Sequence, residues 1–174
     1  MYARALAAGV VAAVLSGPTP TPVGTGPRYH PPASSPASRF VCRRASLGKG
    51  PRVHLELFSR RRVVIVPAAI GLRGVRRRLG RVVSARCRAE LWTLDPSGIV
   101  DYQGRATLGR LFGVWGQRLG RDRLLSFRGP VSAYVDGVRR RVDPRSLRLR
   151  PGAEIVLEVG GYVPPHHRFL FPPR

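Results

Sequence analysis

The chain has 174 residues and carries 31 Lys and Arg against nine Asp and Glu, a formal net charge of +22 at pH 7. This length fits one domain of ordinary size plus a tail and argues against a second independent core. Hydrophobic residues make up 43%, close to the globular average, while 20 Gly and 17 Pro predict short elements joined by many turns.

Residues 1–17 are predicted to be a signal peptide or a membrane anchor. Their apolar run, 5–15, is too short to span a bilayer as a helix but has the length of a secretory h-region. A short buried helix is the alternative. Residues 18–39, rich in Pro, Ser and Thr, predict a solvated, disordered spacer before one globular domain at 40–174. We therefore expect an extracytoplasmic protein, secreted or membrane-anchored.

Cys42 and Cys87 are the only cysteines. In an exported chain an even number of cysteines favours a disulfide, so one intramolecular bridge is predicted. Two buried free thiols and a catalytic thiol are the alternatives, the latter disfavoured because no histidine lies nearby in sequence.

The first half of the domain has the periodicity of strands. The segment 68–86, with three glycines, predicts a long irregular connection, and Asp95-Pro96-Ser97-Gly98 predicts a turn. Alternating or β-branched runs predict strands at 54–58, 63–66, 88–94 and 99–102.

One helix is predicted after these strands. Thr107 is its N-cap, Gly120 its expected end, and Trp92 and Trp115 are expected in the core. A single apolar stripe predicts that the helix packs on a sheet. The stripe consists of Leu108, Leu111, Phe112, Trp115 and Leu119.

The remaining sequence alternates again. Strands are expected at 131–135, 138–142 and 155–159, the first two joined at Asp136-Gly137, with Glu154 and Glu158 facing outwards. Strands, one helix and more strands predict an α+β domain whose mostly antiparallel or mixed sheet packs on one main helix, as in a β-grasp-like arrangement. An all-β sandwich with an accessory helix is the alternative.

Several short sequences carry a resemblance to a known family. They include Thr107-Leu108-Gly109, Val114-Trp115-Gly116-Gln117, Asp143-Pro144-Arg145 and Phe169-Leu170-Phe171-Pro172. Over residues 40–174 the chain resembles a family of exported proteins, of unknown function, from high-GC bacteria. In that family one cysteine precedes a His-x-His-x-His-Leu strand, and another opens Cys-x-x-x-Leu-His-Thr-His, followed by Gly-Ile-Ile-His.

The resemblance implies a metal site that this chain has largely lost. Of the expected histidines only His54 remains. The positions of the others hold Gly50, Arg52, Trp92, Leu94 and Asp101. Because an arginine beside one imidazole repels cations, we expect no metal, no cofactor and no catalytic residues. The predicted function is that of a non-catalytic binding or structural module of the cell envelope.

Two alternatives keep some chemistry. A metal-binding protein results if the C-terminal tail folds back and places His166 or His167 near His54, with Asp101 or Glu56 as a further ligand. A hydrolytic set of Ser97, His54 and Asp95 lacks a nucleophile elbow, and paired acids such as Glu56 and Glu90 are more typical of salt bridges.

Clustered arginines give the other alternative, a polyanion-binding protein. They lie at Arg43-Arg44, 60–62, 76–78 and 139–141 and are expected at turns or strand ends. Anionic envelope polymers or lipid headgroups fit such a surface. Nucleic acid is disfavoured, because no nucleic-acid-binding motif is present and the chain is predicted to be exported. The near absence of lysine is also typical of GC-rich codon usage, so charge alone is weak evidence.

Overall fold

The computed structural model describes residues 28–44, 46–48 and 50–173. The predicted signal or anchor, 1–17, and the first part of the predicted spacer lie outside the described residues. Within the described part, no helix has the length and apolar character needed to cross a bilayer.

The elements are numbered in chain order. The α-helix α1 comprises Leu108–Trp115, and a 3-10 helix comprises Pro144–Ser146. The strands are β1 (Arg43–Arg44), β2 (Arg52–Ser59), β3 (Arg62–Val64), β4 (Leu72–Arg73), β5 (Arg76–Arg78), β6 (Arg81–Ser84), β7 (Cys87–Arg88), β8 (Leu91–Trp92), β9 (Ile99–Tyr102), β10 (Arg123–Leu124), β11 (Phe127–Arg128), β12 (Val131–Val135), β13 (Val138–Arg140) and β14 (Glu154–Val159).

Seven strands form one mixed sheet. Its order is β13-β12-β14-β2-β9-β8, with β3 paired to β2 as well. The central β14–β2 pair is parallel, whereas the other pairs in this sheet are antiparallel. Strand β14 is hydrogen-bonded to one edge of β2. Strands β9 and β3 are hydrogen-bonded to different parts of its other edge. The predicted α+β class is confirmed, and the first and last long strands lie side by side at the centre, as in a β-grasp-like arrangement.

The helix packs on one face of this sheet. Alternate residues of β2 and β14 (Leu55, Leu57, Ile155, Leu157) form one buried cluster with the apolar side of α1. Thr107 caps α1, since its side chain accepts a hydrogen bond from the Arg110 N–H at 3.3 Å.

The predicted end of the helix at Gly120 is wrong. Gly116 adopts a left-handed conformation with φ 75°, and the helix stops there. Leu119 is nevertheless buried, as part of the loop that follows. Two glycines were available as stop signals, and the nearer one ends the helix.

The connection 68–86 is more regular than predicted. It contains β4 and the β5–β6 hairpin, and the single strand expected at 88–94 is divided into β7 and β8. Trp92 and Trp115 are both buried in the core, as predicted. Hydrophobic alternation does not predict these strands, because exposed arginines occupy consecutive strand positions, as in β5.

Residues 28–39, predicted to be a solvated spacer, lie against the domain. The Trp115 indole N–H donates to the Pro32 carbonyl at 2.7 Å, and the hydroxyls of Ser35 and Ser38 donate to the carbonyls of Gly116 and Trp115. The two serine contacts satisfy carbonyls at the C-terminal end of α1, which have no partner inside the helix. Serines that predict a spacer by composition here serve as a helix cap, and Pro32 accepts the indole hydrogen bond.

The predicted disulfide between Cys42 and Cys87 is confirmed. It joins the residue directly before β1 to the first residue of β7, and the register of these paired strands places Arg44 opposite Cys87. The bridge therefore fastens the segment before β2 to the region between the hairpin and β8.

Replacing both cysteines by serine should lower the free energy of unfolding by about 4 kcal/mol, because the bridge closes a loop of 45 residues. Chemical denaturation of the oxidised protein and of the double variant measures the difference. Equal midpoints for the two proteins would contradict this loop-closure estimate.

Two glycines give a matched pair of stability tests. Gly71 has φ +68°, and a Cβ there would collide with the Leu91 carbonyl oxygen, whereas a Cβ at Gly113 in α1 would have no other heavy atom within 4 Å. We expect Gly71→Ala to lower the free energy of unfolding. We expect Gly113→Ala to raise it by up to about 1 kcal/mol. The same sign for both substitutions would be inconsistent with this packing.

Candidate functional site

The sheet face opposite the helix carries polar side chains. His54 and Glu56 of β2 point to this face, as do Glu154 and Glu158 of β14, and the parallel register pairs His54 with Glu154. The prediction that Glu154 and Glu158 face away from the helix-side core is correct. The expectation that they are exposed is wrong, since they are only 1% and 3% accessible.

The tail, defined as residues 160–173, explains this burial. Val163 packs with Phe58 and Val156 on the second face of the sheet, and its N–H donates to Glu158 Oε1 at 3.1 Å. Further along, the Phe169 ring stacks on the His54 imidazole, with centroids 3.7 Å apart and planes 8° from parallel. The tail thus forms a cover over the polar face.

Four side chains meet beneath this cover, and we call them the His–Glu cluster: His54, Glu56, Glu154 and His166. His54 Nδ1 lies 2.8 Å from Glu154 Oε2 and 4.0 Å from Glu56 Oε1. His166 Nδ1 lies 2.8 Å from Glu56 Oε2. Ligand atoms of the first three residues all lie within 4.8 Å of one another.

The adjacent histidines point in different directions. His166 faces Glu56, whereas His167 packs against Gly137, where an added Cβ would overlap its ring. The tail therefore folds back over β2, as the metal-binding alternative requires, but it brings His166 to Glu56 and not directly to His54.

A turn holds the second nitrogen of His54. His54 Nε2 lies 2.8 Å from the Ser97 carbonyl oxygen, and the Asp95 carboxylate accepts hydrogen bonds from the N–H and hydroxyl of Ser97. Gly98, at φ +83°, lets the turn approach closely, since a Cβ there would lie 2.9 Å from His54 Nε2. The predicted turn at 95–98 thus fixes the orientation of the imidazole.

These contacts favour a protonated His54. A carbonyl oxygen only accepts hydrogen bonds, so Nε2 donates to Ser97, while Nδ1 faces a buried carboxylate. Burial by itself lowers the pKa of His54, but the hydrogen bond and the charge of Glu154, followed by Glu56 and Ser97, outweigh it and raise the pKa above 6.5. The imidazolium balances the charge of Glu154.

The pKa of Glu56 is also raised, but here burial acts upwards, because it disfavours the charged carboxylate. Burial and the nearby charge of Glu154 raise the pKa of Glu56, while His166 and His54 counteract part of that rise. Two carboxylates are therefore enclosed together with only the imidazole groups as compensating cations, an arrangement that a bound cation would relieve.

Other predicted residues lie outside the cluster. Asp101 is buried on β9 opposite Arg52 in the register. His54 contacts the carbonyl of Ser97 and not its hydroxyl, so Ser97, His54 and Asp95 do not form a nucleophile–base chain. Asp95 pairs with Arg81, and Glu90 pairs with Arg110.

The arginine clusters are dispersed. Arg43-Arg44 form β1, residues 60–62 turn between β2 and β3, and 76–78 form β5. The fourth cluster begins in the edge strand β13, at Arg139 and Arg140. Three different sheets therefore carry these charges.

Glu154 is the site residue that the sequence interpretation did not find. Its side chain is completely buried and lies 2.8 Å from His54 Nδ1, although 100 residues separate the two. The alternation of His54 with Glu56, and of Glu154 with Glu158, was the available signal. It becomes informative only when β2 and β14 are known to be neighbours.

Comparison of the chain with protein-family models, with curated proteins and with solved structures finds no match. The resemblance to the exported high-GC family therefore stays a prediction from the motifs.

The raised pKa of His54 predicts a pH-dependent stability in metal-free protein. Its contribution is fully present below pH 6.5, the unfolded value, and is lost as the pH rises through the folded pKa. The raised pKa of Glu56 acts in the same direction at lower pH. The free energy of unfolding should therefore fall as the pH rises from about 6.5 through the folded pKa of His54, with a shallower fall in the His54→Gln variant.

Urea denaturation with a chelator present, across this pH range, measures that slope. A stability that rises with pH, or an unchanged slope in the His54→Gln variant, would contradict the protonated assignment of His54.

Proposed function

We propose that this chain is an exported, non-catalytic binding module of the cell envelope that holds one divalent transition-metal ion in the His–Glu cluster. The observation that carries the proposal is the convergence of side chains under the tail: ligand atoms of His54, Glu56 and Glu154 lie within 4.8 Å of one another, and His166 Nδ1 lies 2.8 Å from Glu56 Oε2.

The donor set suits such an ion. Nitrogen and oxygen donors without sulfur fit borderline divalent ions such as Zn²⁺, Fe²⁺ or Cu²⁺, and both cysteines are already in the disulfide. A tetrahedral ion with bonds of about 2.1 Å keeps its donor atoms about 3.5 Å apart. The distances of 2.8 and 4.0 Å from His54 Nδ1 to the two carboxylates lie on either side of that value.

The hydrogen bond from His54 Nε2 to Ser97 also fits a ligand role. A metal-bound histidine commonly donates its other ring N–H to a backbone carbonyl, which fixes the ring and leaves the opposite nitrogen for the ion. In this structure the Ser97 carbonyl is that partner, at 2.8 Å.

Charge balance supports the same function. Two enclosed carboxylates need two positive charges nearby, because an unpaired buried charge is strongly unfavourable. Without metal, the imidazolium of His54 provides one of these charges, whereas a divalent ion provides both while the imidazole is a neutral ligand. A cavity of about 280 Å³ bordered by His54, Glu56 and Gly98 offers a route to the cluster.

The enclosure of the donor atoms favours a binding role over a catalytic one. Phe169 lies flat on His54, and Glu154 is entirely enclosed, so the donors face each other and not a substrate-sized opening. Export is supported by the disulfide between Cys42 and Cys87, since such bonds persist in oxidising compartments.

Untagged protein should bind Zn²⁺ with one-to-one stoichiometry. Free Zn²⁺ at about one hundred times the dissociation constant should raise the free energy of unfolding by about 2.7 kcal/mol. Isothermal titration calorimetry and elemental analysis after dialysis measure the stoichiometry, and denaturation with and without the ion measures the stabilisation.

The variants Glu154→Gln and His166→Ala should each lose stoichiometric binding. His167→Ala is the matched control, because its imidazole is adjacent in sequence but lies against Gly137. Circular dichroism confirms that each variant is folded. Zn²⁺ binding that survives in His166→Ala, or that is lost equally in His167→Ala, would refute the proposed site.

A further inference from the structure

The β5–β6 hairpin stands apart from the main sheet. Arg78 pairs with Arg81, so the two-residue loop Leu79-Gly80 forms its tip. Leu79 is 98% exposed, the most exposed of the large hydrophobic residues described, and Val83 on β6 is 54% exposed. An apolar tip on an otherwise charged hairpin needs an explanation, because a lone exposed leucine contributes nothing to the fold.

The second strand of the hairpin is firmly held. Val82 is 2% exposed and packs with the cluster around Trp92, while its N–H donates to the Leu94 carbonyl at 2.7 Å. Arg81 forms an ion pair with Asp95 at 2.6 Å. Because these two residues directly follow the tip, β6 lies against the domain and holds the exposed tip in a fixed position.

Leu79 also has an unfavourable backbone conformation. Its φ is 48° and that of Gly80 is 78°, so both loop residues are left-handed, as in a type I′ turn. Asn, Asp or Gly suits the first position of such a turn better than leucine does. The turn geometry thus gives no reason for a leucine at this position, and neither does core packing.

The surroundings of the tip are strongly basic. The sequence has no acidic residue between Glu56 and Glu90. Six exposed arginines lie on the hairpin and its flanks: Arg73, Arg76, Arg77, Arg78, Arg81 and Arg86. A guanidinium binds phosphate oxygens through two parallel hydrogen bonds, so this surface is complementary to a phosphate-rich partner.

We propose that the β5–β6 hairpin docks the domain on an anionic lipid bilayer. Arg76, Arg78 and their neighbours bind headgroup phosphates, and Leu79 enters the boundary between headgroups and acyl chains. A cationic surface with an apolar projection is the combination that such an interface favours.

The apolar tip distinguishes a bilayer from a polyanionic polymer. An anionic wall polymer offers phosphate or carboxylate charge but no hydrocarbon phase for an aliphatic side chain. A nucleic acid accepts apolar side chains between its base steps, and the heparin and vesicle comparison below separates such charge-driven binding from binding to a bilayer. The arginines fit each of these partners, whereas the apolar tip favours the bilayer over a wall polymer.

The test is co-sedimentation of the full chain with vesicles of phosphatidylcholine, with and without phosphatidylglycerol. Uncharged vesicles measure binding through the apolar run at residues 5–15, so the difference between the two vesicles reports binding to the anionic headgroups, which the variants below assign to the hairpin. Arg76→Gln/Arg78→Gln should weaken the phosphatidylglycerol-dependent affinity about 25-fold, about fivefold for each arginine. The variant Leu79→Asn, whose asparagine suits a left-handed turn position, should weaken the same affinity about tenfold.

Two controls make the test specific. Arg139→Gln/Arg141→Gln removes the same charge from another exposed cluster and should have a much smaller effect. Heparin affinity should not change in Leu79→Asn, because heparin offers no apolar phase. Wild-type vesicle binding by Leu79→Asn, equal losses in the two arginine variants, or binding to heparin without any preference for phosphatidylglycerol would each overturn the proposal.

Discussion

The parallel pairing of β2 with β14 is the interaction on which the rest of the structure depends. It places residues about one hundred positions apart side by side, with Leu55 next to Ile155 and His54 next to Glu154. Because side chains alternate along a strand, one register decides both faces of the sheet at once. The same hydrogen bonds that complete the apolar face towards α1 also assemble the polar pair on the other face.

The second face differs from the solvent-exposed face common in antiparallel sheets. It is polar but covered, and the cover is chemically matched to it. The tail supplies an imidazole to Glu56 through His166, a backbone N–H to Glu158 through Val163, and an aromatic ring to His54 through Phe169. The tail thereby supplies a partner for Glu56 and for Glu158, while His54 of β2 supplies one for Glu154, so each of these buried acidic residues has a polar partner.

Local patterns predicted much of this architecture. The α+β class, the helix cap at Thr107, the turn at 95–98, the disulfide and the two core tryptophans all follow from short-range rules of periodicity, capping and composition. The rules failed where distant segments decide the outcome. Residues 28–39 have the composition of a spacer yet cap α1, and Glu154 reads as a surface residue until the tail covers it. The motif of the resembling family contributes only His54 to the cluster. The partners of His54 lie on β14 and in the tail, which the histidine motif does not include.

The central position of β14 also determines when the domain can fold. Neither face of β2 is complete until the chain has been synthesised beyond Val159, because β2 lacks its parallel neighbour before then. Contacts this far apart in sequence close slowly, since a long loop must be ordered before any of them forms. For a chain that crosses a membrane, as proposed, this delay is useful: the polypeptide remains threadable during translocation and acquires its native sheet only on the far side.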